Sequence, residues 1–512
     1  MGNQEEFIRR IGEGYAFKGE SIVLGTAILG GTPIAETLVR APLKTFNRHG
    51  LIAGATGTGK TKTFQRIAES LSARGVPVLL MDVKGDLSGL SQAGAPNAKI
   101  EERHTLIGEG WTPTAYPVEY LSISGEQGTR LRATVSEFGP VLFSKILELN
   151  ETQAGVVAMV FKYADDNHLP LLDLKDFKKT VQFLTNEGKA EIEKEYGRIS
   201  TASTGTIIRK IVEIEQEGAD AFFGERSFDV ADLLRIDENG RGYLNVLRLG
   251  DIQSRPKLFS TFMLCLLAEI YQTFPEEGDL EAPKLVLFID EAHLVFKEAS
   301  KALLEQLETI IKLIRSKGVG VFFCTQSPTD IPAPILGQLG MKVQHALRAF
   351  TAQDRKAIKL VAENYPETTF YDVDEVITAM GIGEAFVTLL NEKGVPTPLA
   401  HTLLCAPQSR MDTVTPQELS ACVQRSTIAG KYAEAVDRES AYEMLNAKLQ
   451  QAAAPEAPAG GRAGKVEPTA LEKVIDSPIT RQIGRTVARE LTRGLLGVLG
   501  VSGGRSRRTS LF

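Results

Sequence analysis

The stretch Gly54-Ala55-Thr56-Gly57-Thr58-Gly59-Lys60-Thr61 decides how the rest of the chain is read. It fits the pattern G-x-x-x-x-G-K-[ST] in full. Glycines let a backbone wrap a phosphate with several N–H groups turned inward, in conformations that a Cβ forbids. The N-terminus of a following helix adds partial positive charge. Lys60 supplies a point charge for the outer phosphates, and the Thr61 hydroxyl is placed to ligate Mg²⁺. Ala55, Thr56 and Thr58 offer their amides to the same phosphates. Average composition yields such a pattern roughly 0.02 times by chance in a chain of this length.

Working outward, Leu51-Ile52-Ala53 predicts a short buried strand before the loop, and 62–73 carries helical periodicity after it. Residues 76–82 predict a second buried strand ending in an acid. Strand, loop, helix, strand in roughly 35 residues is a βαβ unit, so the fold class is α/β with a central, mostly parallel sheet covered by helices. Further strands are predicted at 242–249, 285–289, 319–324 and 342–347, a long apolar helix at 258–271, and a closing hairpin at 384–404. Residues 1–45 alternate short apolar runs with glycine and predict a small β region. Helical spacing at 151–163, 174–184 and 205–218 predicts a helical insertion over 130–235, between two parts of the core at 46–129 and 236–410. A helical extension is expected at 411–450. Residues 451–480 are rich in Ala, Pro and Gly and read as a linker. In 481–512, Arg481, Arg485, Arg489 and Arg493 recur every four residues among Ile483, Val487, Leu491 and Leu495, which predicts a basic amphipathic tail.

Two later strands end in chemistry. In Lys284-Leu285-Val286-Leu287-Phe288-Ile289-Asp290-Glu291-Ala292-His293 an apolar run delivers two acids to a sheet edge. Asp290 can hold the Mg²⁺ shell, and Glu291, projecting differently, can polarise an attacking water. In Val321-Phe322-Phe323-Cys324-Thr325-Gln326-Ser327 a polar Gln326 ends the next strand and can sense the outermost phosphate. Asp82 and Asp86 follow the second strand and either line the site or form a solvated turn. His293 reads as a packing or hydrogen-bonding residue.

Composition excludes several classes. Of 512 residues, 43% are hydrophobic and 24% charged, which is globular usage. Lys plus Arg is 58 against 64 Asp plus Glu, a net charge of -6, so nucleic-acid contact would need local basic patches or a ring of subunits. No stretch reaches ~18 uninterrupted apolar residues, so no transmembrane segment is expected. The charged start MGNQEEFIRR lacks a signal-peptide core, and a cytoplasmic location is expected. Cys265, Cys324, Cys405 and Cys422 are widely spaced and make neither a zinc pattern nor a disulfide framework. Trp111 and the tyrosines do not interleave with basic residues as a base-stacking platform would. The basic tail, residues 481–508, suits nucleic acid, an anionic membrane surface or an acidic neighbour, or serves as a solvated tail.

The sequence resembles the HerA–FtsK superfamily of ring-forming P-loop ATPases, and within it the bacterial HerA-helicase-like proteins. The matching residues are 48–61, beginning Arg48-His49-Gly50, then Asp82-Val83-Lys84-Gly85-Asp86, Ile289-Asp290-Glu291-Ala292-His293 and Thr325-Gln326-Ser327-Pro328. The likeness covers roughly residues 20–410. It implies a RecA-like P-loop NTPase core that uses ATP and Mg²⁺, assembled as a homo-oligomeric ring, a hexamer, acting on duplex DNA or sometimes protein. It also implies arginines supplied by the neighbouring subunit. Arg315 and Arg48 are the candidates, with Arg348 a third. Two other readings stay open: a nucleotide-switched assembly protein, and a protein-secretion coupling ATPase.

Overall fold

Twelve strands share one sheet in the computed structural model of the chain. In chain order they are β1 (Ser21–Leu29), β2 (Thr32–Pro42), β3 (Gly50–Ala53), β4 (Val78–Asp82), β5 (Val118–Ser122), β6 (Thr129–Arg130), β7 (Leu244–Arg248), β8 (Leu285–Ile289), β9 (Val319–Thr325), β10 (Met341–His345), β11 (Glu384–Leu389) and β12 (Ala400–Leu404). Their order across the sheet is β2-β1-β12-β11-β10-β3-β9-β8-β4-β7-β5-β6. From β10 to β6 every pairing is parallel, and from β2 to β10 every pairing is antiparallel. The structure describes residues 2–453 except 252–254, 279, 298, 300 and 434–438. The linker expected beyond 453 and the basic tail expected at 481–512 lie outside the described residues.

The described residues divide into two compact units, one within 2–131 and 228–433 and one within 132–227 with 439–453. The first holds the sheet. β4, β8 and β9 are buried along their whole length, as strands covered on both faces must be, which is why they read as unbroken apolar runs. The helix after the glycine loop, α2 (Lys60–Ser72), lays Phe64, Ile67, Ala68 and Leu71 into this core. Its Phe64 ring lies 4.7 Å from Phe288, which lies 5.0 Å from Phe322. The apolar run before residue 50 predicts strands alone, but the structure adds α1 (Gly2–Gly14), whose Phe7 and Ile11 are fully buried. β1 and β2 are the outer strands of the main sheet, joined to it through β12.

The second unit is built of helices. Among the described residues these are Val135–Ile146, Glu151–Asp166, Leu174–Thr185, Lys189–Glu195, Thr201–Gln216 and Ala441–Ala453. Three begin with capping boxes, Thr134 with Glu137, Asn150 with Gln153 and Asp173 with Asp176, which satisfy orphan amides at the first turn. Its core is aromatic: Phe143 lies 4.8 Å from Phe177, and Phe138 lies 5.0 Å from Phe223. The buried Asp176 accepts from the Tyr442 amide at 2.9 Å and fixes the last helix.

Sheet order positions the chemistry. Parallel strands put all their C-terminal ends on one edge, where ligands of open α/β sheets bind. β9 lies between β3 and β8. Along that edge the glycine loop after β3, Gln326 after β9, Asp290-Glu291 after β8 and the turn after β4 therefore follow one another side by side.

Candidate active site

The loop is shaped by its glycines. Gly54, Gly57 and Gly59 have φ of 155°, 80° and 108°, all in the region that favours glycine. A Cβ on Gly54 would lie 2.5 Å from the His345 Cβ, so only hydrogen fits where the loop crosses the end of β10. Backbone bonds fasten both ends: the Gly54 amide donates to Thr325 O at 3.3 Å, and the Ala55 amide to Ala346 O at 2.8 Å. The Gly383 amide donates to Thr58 O at 3.0 Å, and Arg103 Nη1 holds Gly383 O at 3.1 Å. His345 is fully buried behind the loop, its Nε2 3.0 Å from Thr63 Oγ1. Burial first, and the Lys60 charge second, push the His345 imidazole down to about 3, so the ring is neutral.

Lys60 starts α2 and donates to Ala55 O at 3.0 Å, folded back over the loop. Burial lowers the pKa of its ammonium; Lys84 adds to that effect, while Glu291 and Asp290 oppose it. Asp290 and Glu291 are each 3% exposed. Burial, then the neighbouring Glu291 charge, push the Asp290 carboxyl up to about 6. Its Oδ2 has no hydrogen-bond partner. Glu291 has φ 47°, a left-handed backbone conformation uncommon for a residue with a side chain. The turn is held by the Ala292 amide donating to Cys324 O at 2.9 Å. Glu291 Oε1 forms an ion pair with Lys84, and Oε2 lies 3.2 Å from His293 Nδ1 outside hydrogen-bond geometry.

The turn after β4 closes the other side. Asp82 Oδ1 accepts from the Gly85 amide at 2.7 Å and Oδ2 from the Leu87 amide at 3.2 Å. Burial, then Asp86, push the Asp82 carboxyl up to about 7. Asp82 is thus a buried turn anchor rather than a solvated acid. The thiol of Cys324 sits among these groups, raised by burial and then by Asp290. Gln326 is exposed at the end of β9, on a turn pinned by Asp330 Oδ2, which accepts from Thr325 Oγ1 at 2.5 Å and the Ser327 amide at 3.1 Å.

These residues suit a nucleotide and a hard cation. The glycine cradle leaves room at Gly57, where an added Cβ meets nothing within 4 Å. The buried, unpartnered Asp290 Oδ2 is a free oxygen ligand near Lys60. Among the described residues no three His, Cys, Asp or Glu form a protein-only metal cage. Thr61 and Asp290 are the residues that would hold a Mg²⁺, which usually takes its remaining ligands from phosphate and water.

The sheet brings together the 54–61 loop, Asp290, Glu291 and Gln326, and it separates Arg48 and Arg315 from them. Arg48 precedes β3 and Arg315 precedes β9, so both lie at the opposite sheet edge, roughly 15–20 Å along the strand from their own loop. Arg348 follows β10 on the loop's edge, where its Nη1 donates to Thr378 O at 2.8 Å. His49 is a structural link: Nε2 lies 2.7 Å from Ile311 O, and Nδ1 accepts from the Val321 amide at 3.0 Å. Sequence reasoning missed the roles of Lys84 and His345. Lys84 stands two residues after an acid-ended strand and inside the Asp82–Asp86 motif that carries the family resemblance, but neither signal names its partner.

Glu69 was missed as well, and its contacts hold the back of the phosphate helix. It is fully buried on α2 and accepts from the amides of Gln408 and Ser409 at 2.8 and 2.9 Å and from Ser409 Oγ. Gln65 Nε2 adds bonds to Ser409 Oγ at 2.7 Å and Arg410 O at 3.0 Å, and Lys62 reaches Met411 O. The segment leaving β12 is thereby strapped across the phosphate helix. It continues to the 85–92 turn, where the Arg410 amide donates to Gln92 O at 2.8 Å.

Among the described residues no helix is long and apolar enough to cross a membrane. The chain is 22% identical over 366 residues to the DNA double-strand break repair helicase HerA of Sulfolobus acidocaldarius, covering 68% of this chain and 64% of that relative. The fold resembles the bacterial conjugative coupling protein TrwBΔN70 in its unbound form, with a TM-score of 0.51 at 15% identity over 80% of this chain and 95% of that one. It equally resembles the plasmid coupling protein TrwB in complex with ADP and Mg²⁺, with a TM-score of 0.50 at 17% identity over 77% and 97%. At such identities the likeness is one of fold, a mixed α/β core of RecA-like P-loop type. The family model described as Helicase HerA-like C-terminal matches residues 30–507, and the chain belongs to that family.

Proposed function

We propose that the protein is a Mg²⁺-dependent ATPase whose copies close into a hexameric ring and that hydrolysis drives movement along duplex DNA. The observation that supports the reading most is the buried acidic pair Asp290-Glu291 after β8, with only β9 between it and the strand that leads into the glycine loop, and within electrostatic reach of that loop's Lys60. Lys60 and the amides of 54–61 hold the phosphates. Thr61 and Asp290 ligate Mg²⁺, Glu291 polarises the attacking water, and Gln326 reports the outermost phosphate. Arg48 and Arg315 sit too far along the sheet to serve their own loop, which supports a role on a neighbour's nucleotide. The Sulfolobus relative, a DNA double-strand break repair helicase, supports DNA as the polymer.

The test has two arms. Glu291→Gln keeps nucleotide binding and lowers turnover by about 10²–10⁴-fold, the usual worth of a positioned base. Duplex DNA stimulates wild-type hydrolysis, and the stimulation fades as salt rises through counterion release. Turnover that survives the substitution removes the base assignment, and indifference to DNA removes the motor. The net charge of -6 favours the second reading, a nucleotide-switched assembly protein or protein-secretion coupling ATPase, which would be indifferent to DNA.

A further inference from the structure

Lys84 belongs to a motif that the proposed chemistry leaves unused, yet it is placed by the same geometry that builds the site. β4 and β8 are parallel neighbours in register, Met81 opposite Ile289, and the Asp290 amide donates to Met81 O at 3.3 Å. Their C-terminal ends therefore lie side by side. The turn after β4 is held by both Asp82 oxygens, with Gly85 at φ 79°. That fixed turn sets Lys84 over Glu291 Oε1, while His293 stands at Oε2. One oxygen of the carboxylate thus faces the Lys84 ammonium and the other the His293 imidazole. A carboxylate paired with an ammonium is a weaker proton acceptor than a free one. Lys84 is also within electrostatic reach of Lys60, so the two cations flank the space into which a phosphate tail would run.

We propose that Lys84 is a latch read by the terminal phosphate: it holds Glu291 when the site is empty, and the γ-phosphate of a nucleoside triphosphate draws it off and frees the carboxylate. A diphosphate lacks the group that would compete and leaves the latch closed. Lys84 is in this sense a positioning residue that acts through Glu291. The inference rests on the assignment of Glu291 as base. Against the lowering effect of burial, the pair with Glu291 keeps the Lys84 ammonium above its usual value, so the cation is charged in the latched state.

The latch makes triphosphate affinity depend on breaking an ion pair, and that linkage is measurable without turnover. Binding of a non-hydrolysable ATP analogue and of ADP, both with Mg²⁺, is compared for the full chain, Glu291→Gln, Lys84→Met and the double variant. Glu291→Gln leaves Lys84 unpaired and tightens the triphosphate analogue about threefold to tenfold. Tenfold is the worth of a 1.36 kcal/mol pair, and less is expected because Lys84 is 39% exposed and partly screened. ADP affinity stays within about twofold. Lys84→Met weakens the triphosphate analogue alone, and the double variant shows no gain over Lys84→Met. A gain that persists without Lys84, or a Lys84→Met effect equal for both nucleotides, overturns the latch. Residual hydrolysis by Glu291→Gln would instead overturn the base. If Lys84→Met does not fold, Lys84→Gln, which keeps a polar head at similar length, takes its place in the cycle.

Discussion

Replacing Asp290 by Asn should make the nucleotide-free protein more stable while disabling its site, and the size of the gain follows from the burial of the carboxylate. The carboxyl stands at about 6 instead of 3.8, because burial and the Glu291 charge disfavour its ionised form. Two units at about 1.36 kcal/mol each come to about 3 kcal/mol. The folded state binds this proton more tightly than the unfolded state, so the penalty is full above pH ~7 and fades as pH falls from about 6 to about 4. Asn carries no charge and escapes it. Asp82 titrates nearby but is present in both proteins and cancels to first order. Thermal midpoints without Mg²⁺ or nucleotide should therefore differ by about 6 °C at pH 8, at about 2 °C per kcal/mol for a large domain. At pH 4 the two should coincide. With ATP analogue and Mg²⁺ the gap should narrow, because the parent keeps the Asp290 ligand for Mg²⁺ and gains more ligand stabilisation than the variant. Two melting profiles that stay parallel from pH 4 to pH 8 would refute the reasoning.

Other consequences are as direct. Lys60→Ala should leave the melting midpoint nearly unchanged and weaken nucleotide binding about 100-fold by equilibrium titration, the worth of one strong charge-assisted contact. Glu69→Ala should destabilise by about 2–5 kcal/mol, since the Gln408 and Ser409 amides lose their buried acceptor at about 1–3 kcal/mol each; Glu69→Gln, which keeps one oxygen, should lose less in urea titrations. Gly54→Ala puts a methyl against His345 at a φ of 155° and should weaken triphosphate binding by about tenfold or more, read by the same titration.

The core was legible where burial leaves a one-dimensional trace. Residues 285–289 are five apolar residues in a row because β8 is covered on both faces, and their boundaries are read without error. β5 was hidden because Glu119 interrupts its run; that acid is tolerated only through Arg235 Nη2 at 3.0 Å and Thr129 Oγ1 at 2.8 Å, partners no local pattern reveals. α1 was missed because only one narrow stripe, Phe7 and Ile11, is buried on an otherwise polar helix. The helix Val135–Ile146 is masked by Gly139 and Pro140, which read as a break and do produce a kink. Within the site, the glycine loop and acidic pair announce themselves because their chemistry demands fixed spacing. Lys84 and His345 serve through contacts to elements remote in the chain, and their identities alone say nothing of that.

The strap that runs from β12 over the phosphate helix bears on how shortened versions of this protein would behave. A fragment ending before residue 405 keeps every residue of the nucleotide site, yet it uncovers the fully buried Glu69 and Gln65 and strips the amides they serve. Inactivity in such a fragment would report a helix that has lost its backing, not a catalytic duty of the removed segment. Deletion mapping here should stop no earlier than the Arg410–Glu418 pair, whose two bonds of 2.9 and 3.0 Å tie off the strap.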